Sequence, residues 1–87
     1  MKIIIDPHTL ERAEERGVTE EEIIDVIKNG TPIKAKYERA GKAKIFPYNQ
    51  IRGRKFYEQK RVEVVYVVEL DTIITVTVYV FYGKWES

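Results

Sequence analysis

Eighty-seven residues without a cysteine exclude disulfide frameworks, thiolate zinc sites and cysteine nucleophiles. A single histidine leaves a protein-built transition-metal centre short of ligands, and no metal or cofactor is expected. With 44% hydrophobic and 33% charged residues the chain reads as one ordered soluble domain over residues 1–87, with no apolar run of membrane-spanning length, so the cytoplasm is the expected compartment.

Lys2 to Ile5 is a short apolar run, a strand or an extended lead-in. Asp6 and Pro7 then start a helix, the carboxylate capping free N–H groups and the proline presetting φ for the first turn. This helix is expected to end at Arg16, with Gly17 in the left-handed conformation. Leu10 and Ala13 give it a thin apolar side. The second helix carries a complete start signal: Thr19 with Glu22 as a capping box, and Val18 with Ile23 as a hydrophobic staple. Ile23, Ile24, Val26 and Ile27 form its core stripe, and Asn29-Gly30 ends it.

Beyond Gly30 the hydrophobic period becomes two. Ile33, Ala35 and Tyr37 alternate with charged residues as in a half-exposed strand. Ala40-Gly41-Lys42 is expected to turn the chain into a strand over 43–46, which Pro47 confines to an edge or ends. The pattern weakens over 48–59, where Arg52-Gly53-Arg54 reads as a basic loop. Two long strands follow, 61–70 and 73–82, paired antiparallel through Asp71-Thr72. On the last strand Ile74, Val76, Val78 and Val80 are assigned to the helix-covered face, and Ile73, Thr75, Thr77, Tyr79 and Phe81 to an open one. The expected fold is α+β: two N-terminal helices packed on a twisted antiparallel sheet of about four strands.

The net charge of +1 hides an asymmetry. Residues 1–31 carry −4, residues 32–61 carry +8 and residues 62–87 carry −3. A basic centre of this kind either faces a polyanion or solubilises exposed hairpins. His8, Arg12 and Arg16 follow at four-residue steps, within roughly 80° of one another around a helix. Histidine titrates near neutrality and can move a proton, while arginine presents a planar fork to phosphate oxygens. A base for the 2′-hydroxyl, cations on the phosphate and an acid for the leaving 5′-oxygen suffice for RNA cleavage without metal. The same residues also fit an inert, solvated helix face.

The run from His8 to Gly30, HTLERAEERGVTEEEIIDVIKNG, resembles the opening of the prokaryotic family called domain of unknown function 4258, with its H-x-x-x-R-x-x-x-R-G-[IV]-[ST]-x-x-[ED] pattern. The closing IITVTVYVFY is similar to that family's Val-rich end. The family's layout is similar to that of RelE and ParE toxins, a group of small metal-independent ribonucleases and their relatives. That resemblance implies a toxin-like, metal-independent ribonuclease or RNA-binding domain of a toxin–antitoxin system, with RNA, free or ribosome-associated, and a cognate antitoxin as the expected partners. Under it His8, Arg12 and Tyr79 are the candidate catalytic residues and Arg16 a candidate RNA-phosphate contact. The basic middle segment supplies Lys44, Arg52, Arg54 and Lys55 as the further candidate phosphate contacts. The alternative is a non-catalytic module whose basic strands bind an acidic protein or nucleic acid. Catalysis requires His8, an arginine and a late tyrosine to converge on one concave surface, whereas binding requires only a continuous basic patch.

Overall fold

The computed structural model describes residues 1–85. The chain runs β1 (Lys2–Ile4), α1 (Pro7–Arg16), α2 (Glu20–Asn29), β2 (Thr31–Ile33), β3 (Ala40–Arg52), β4 (Lys55–Glu69) and β5 (Thr72–Gly83). The strands form one sheet in the order β1-β5-β4-β3-β2, with both helices contributing to a core on one of its faces. The α+β class with two leading helices agrees with the sequence reading. The sheet departs from it, having five strands and mixed directions: β1 pairs parallel with β5, from Lys2↔Thr72 to Ile4↔Ile74. The short apolar lead-in thus closes part of an otherwise unpaired edge.

Both helix starts form as the sequence dictates. The Asp6 carboxylate accepts from the His8 backbone N–H, and Pro7 occupies the first turn. Thr19 and Glu22 complete the reciprocal capping box at 3.1 and 2.9 Å. Gly17 ends α1 at φ 79°, and Val18 N–H returns to the Ala13 carbonyl. The apolar side of α1 differs from the reading, because Thr9 and Ala13 are buried while Leu10 is partly exposed. Arg12 and Arg16 therefore flank the buried side of α1 and are half-buried themselves. In α2, Ile23, Val26 and Ile27 are buried and Ile24 lies at the margin.

The region after Gly30 holds the main corrections. The expected strand through Tyr37 stops at Ile33, and the chain reverses at Tyr37 and Glu38, whose φ angles are 59° and 57°. The expected turn at Ala40-Gly41-Lys42 is instead the start of β3. Gly41 serves close strand approach: a Cβ there would meet Cγ1 of Ile33, its partner on β2, at 2.9 Å. Pro47 does not end β3. Its flank lies beyond the reach of β2, so no partner strand needs its missing N–H, and a bulge between Pro47 and Gln50 absorbs the irregularity. The β3–β4 hairpin then closes through Gly53-Arg54, with Gly53 at φ 68°. The β4–β5 turn is Leu70-Asp71, one residue earlier than read.

A bulge also splits the face assignment of β5. Val65 pairs with Thr77 but Tyr66 pairs with Thr75, so Val76 is an extra residue. After it, Val78 and Val80 face the helices as assigned. Before it the phase flips: Ile73 and Thr75 are buried, while Ile74 and Val76 lie only partly covered on the other side. Thr75 accepts a 2.9 Å hydrogen bond from the Asp6 N–H, which ties the start of α1 to β5. The core comprises Ala13, Val18, Ile23, Val26 and Ile27 from the helical half with Val62, Val64, Tyr66, Ile73 and Val78 from the sheet.

Candidate nucleic-acid interface

Register decides where the basic segment goes. On β3 and β4, Lys42, Lys44 and Lys60 alternate onto the helix-covered face, and each is bonded to a helix. Lys42 Nζ donates to the Ile27 carbonyl near the end of α2 at 2.8 Å, and Lys44 Nζ to Asp25 at 2.7 Å. Buried Lys60 donates to the Gly17 carbonyl at 2.8 Å and to Glu22 Oε1 at 2.9 Å. Arg52 donates to the Glu15 carbonyl at 3.2 Å, and the Tyr82 hydroxyl donates to the Arg16 carbonyl at 2.6 Å. Three consecutive carbonyls at the C-terminal end of α1 thus receive two cations and a phenol, which suits the negative pole of the helix. Burial pushes the Tyr82 hydroxyl up from its ordinary value. Burial also pushes Glu22 up, but Lys60 and the Thr19 N–H outweigh it and leave the carboxyl lowered. Asp25 is lowered by hydrogen bonds from Lys44 and Asn29.

The opposite face carries no helix. The loop of residues 34–39 leaves β2 at one edge of the sheet and folds over this face. With Glu63 and Val65 of β4 and Thr77 and Tyr79 of β5 it encloses an open cleft of about 250 Å³. Lys34, Lys36 and Arg39 line it, and none forms an ion pair among the described residues. Arg16 reaches the same region from the β5 edge, bonding the Val78 carbonyl at 2.5 Å and standing 5.6 Å over the Tyr79 ring. Tyr79 is 42% exposed.

The family model described as a domain of unknown function (DUF4258) matches residues 5–80. The chain belongs to the DUF4258 family. No curated protein and no solved structure matches it significantly.

In this DUF4258 domain the candidate residues do not gather at one point. Arg16 and Tyr79 meet. His8 lies in the first turn of α1, eight residues and about 12 Å along the axis from Arg16. It is exposed, its backbone N–H caps onto Asp6, and its ring forms no hydrogen bond among the described residues. Arg12, on the same flank, pairs with Glu15 at 3.2 Å. Lys44 and Arg52 are engaged with the helices, as above. Arg54 and Lys55 stand at the tip of the β3–β4 hairpin, the Lys55 ammonium 5.6 Å from the Tyr57 ring. Lys34, Lys36, Arg39 and Glu63 line the cleft and were not singled out from the sequence. Their signal was weak because the YER reversal was hidden inside an alternating run. Glu63 becomes a neighbour of Tyr79 only through the β4–β5 register. Among the described residues no cluster of three or more potential metal ligands occurs, and no helix is long and apolar enough to cross a membrane.

Proposed function

We propose that this DUF4258 domain binds single-stranded RNA on its open sheet face. One observation carries the reading: three cations without ion-pair partners, Lys34, Lys36 and Arg39, surround a cleft floored by Tyr79, and Arg16 borders the same ring. Cations that track a phosphate backbone beside an exposed aromatic ring are the elements of single-strand binding. Two helices over one face of a sheet built largely of antiparallel hairpins is also the layout of RelE- and ParE-like toxins. The toxin-like reading extends binding to metal-independent cleavage, with His8 moving the proton and Arg12 holding the phosphate. The distance from His8 to the Arg16–Tyr79 pair favours binding as the primary activity.

Fluorescence anisotropy with a labelled 12-nucleotide RNA tests the reading. Wild type should bind with a salt-dependent affinity, and each counterion-displacing cation should contribute about 0.7 to the log–log slope. Charge reversal at Lys34, Lys36 and Arg39 should flatten the slope, whereas Lys44→Ala on the helix face should leave it unchanged. Absence of binding at low salt refutes the proposal. If the RNA is also cut, cutting should persist with chelator and fall about 10²- to 10⁴-fold in His8→Ala. Arg12→Lys should impair it too, since ammonium lacks the planar fork.

A further inference from the structure

The cleft is not uniformly basic, and the exception is informative. Glu63 lies directly across from Tyr79 in the β4–β5 ladder, and both line the cleft. Residues so paired on adjacent strands hold their Cβ atoms about 5 Å apart. Arg61 Nε donates to Glu63 Oε2 at 3.0 Å, which fixes the carboxylate and leaves Oε1 without a protein donor among the described residues. Arg61 offsets the charge, but the free oxygen of the carboxylate only accepts hydrogen bonds, so the floor beside Tyr79 suits a neutral group bearing donors better than a phosphate oxygen. The cations of the 34–39 loop suit the charged backbone. The cleft therefore separates two chemistries along a short distance, as a nucleotide does.

Resting on the RNA-binding reading, we propose that this cleft is a base subsite. It takes one unstacked base that carries an exocyclic amino group, stacked on Tyr79 with its amino edge against Glu63. Lys34, Lys36 and Arg39 receive the flanking phosphates. The volume of about 250 Å³ lies below the usual range for drug-sized ligands and admits a single base. Arg16 approaches Tyr79 from the β5 edge and the cleft lies on the other side of that strand, so the ring is held between cation and base. An ionised carboxylate only accepts hydrogen bonds. It therefore pairs with the amino group of cytosine and meets an acceptor oxygen at the same position of uracil.

The test compares tetracytidylate with tetrauridylate, which differ at that position, by anisotropy competition at low salt beside the 12-nucleotide RNA. Wild type should prefer tetracytidylate by about fivefold. In Glu63→Gln the preference should fall below about twofold, because an amide can turn to donate or accept. A tetramer of N4,N4-dimethylcytidine should bind the unaltered protein as weakly as tetrauridylate, so the test does not depend on the variant folding. Lys34→Ala and Lys36→Ala should weaken both tetramers alike. Equal affinities for the two tetramers in wild type, or a preference that survives Glu63→Gln, overturn the subsite while binding of the longer RNA remains. Loss of the longer RNA as well overturns the binding reading itself. Binding of a hexaglutamate peptide in place of any RNA would assign the cleft to an acidic protein segment and overturn both.

Discussion

Lys60 offers the sharpest check on how the fold is held. It sits on β4 between Phe46 and Tyr82, is 6% exposed, and joins the α1–α2 junction to the sheet through Gly17 and Glu22. Lys60→Met keeps most of the apolar stem and removes the ammonium. Hydrogen bonds to a charged group contribute about 1.5–3 kcal/mol, and breaking a buried pair costs about 3–5 kcal/mol when the remaining charge is stranded. Here Glu22 retains 22% of its side-chain exposure, so water recovers part of the loss. The expected destabilisation is about 2–3 kcal/mol, a fall of about 2–3 M in urea midpoint at a slope of about 1 kcal/mol per M, usual for a domain this small. Glu22→Gln should be milder, and the double variant should show a coupling of about 1 kcal/mol or more. The pair also predicts a pH dependence. Glu22 is lowered in the folded protein, so the folded state binds fewer protons than the unfolded one. The contribution is complete above the ordinary carboxylate range and is lost as pH falls through the lowered value. Lys60→Met should therefore shrink the acid-induced loss of stability. A midpoint within 0.3 M of wild type (about 0.3 kcal/mol at that slope), or a coupling near zero, would refute the reasoning.

The β5 bulge makes adjacent valines unequal: Val78→Ala, at a fully buried site, should cost about 1–3 kcal/mol, and Val76→Ala under 1 kcal/mol, both read from denaturant midpoints. Thr19→Ala should cost about 1 kcal/mol by the same measurement, since it opens one half of the capping box. Leu70→Asn should raise the melting temperature, because Leu70 is 99% exposed at φ 54°, a conformation that costs leucine about 1 kcal/mol and suits asparagine better.

Much of the helical half was legible in the sequence because its signals are local. Asp6-Pro7, Thr19 with Glu22, Gly17 and Gly30 each act within four residues, and each formed where the chain placed it. The sheet was legible in kind and misjudged in detail, because its geometry depends on partners distant in sequence. Gly41 reads as a turn residue until Ile33 is seen to press against it. Pro47 reads as a terminator until the strand's outer flank is seen to be free. The alternation of β5 cannot reveal a bulge, since one inserted residue changes the phase without changing the composition. Of the candidate site, Tyr79 was placed on the correct face. His8 and Arg16 were read as one helix edge, but Arg16 is tied to β5 through the Val78 carbonyl while His8 stays exposed in the first turn, so the two do not share a site.

The +8 segment shows how a charge count and a charged surface diverge. The alternation that alone would spread its cations over both faces sends Lys42, Lys44 and Lys60 toward the helices. There two of them bond helical carboxylates and two bond backbone carbonyls at or near helix ends. These cations answer the acidic helical segment of residues 1–31 within the same molecule, so they add little to any external field. Arg52 is likewise held by the Glu15 carbonyl and Arg61 by Glu63. The cations left over are Lys34, Lys36 and Arg39 on the loop above the open face and Arg54 and Lys55 at the hairpin tip. A loop held at one end by a three-residue strand, and reversed through two non-glycine residues at positive φ, can shift to admit a ligand more readily than a ladder can. If this loop meets RNA as proposed, binding energy there should go partly into ordering residues 34–39. That cost predicts modest affinity with fast exchange, and Ala35→Gly, which loosens the loop further, should weaken RNA binding while leaving the thermal midpoint nearly unchanged.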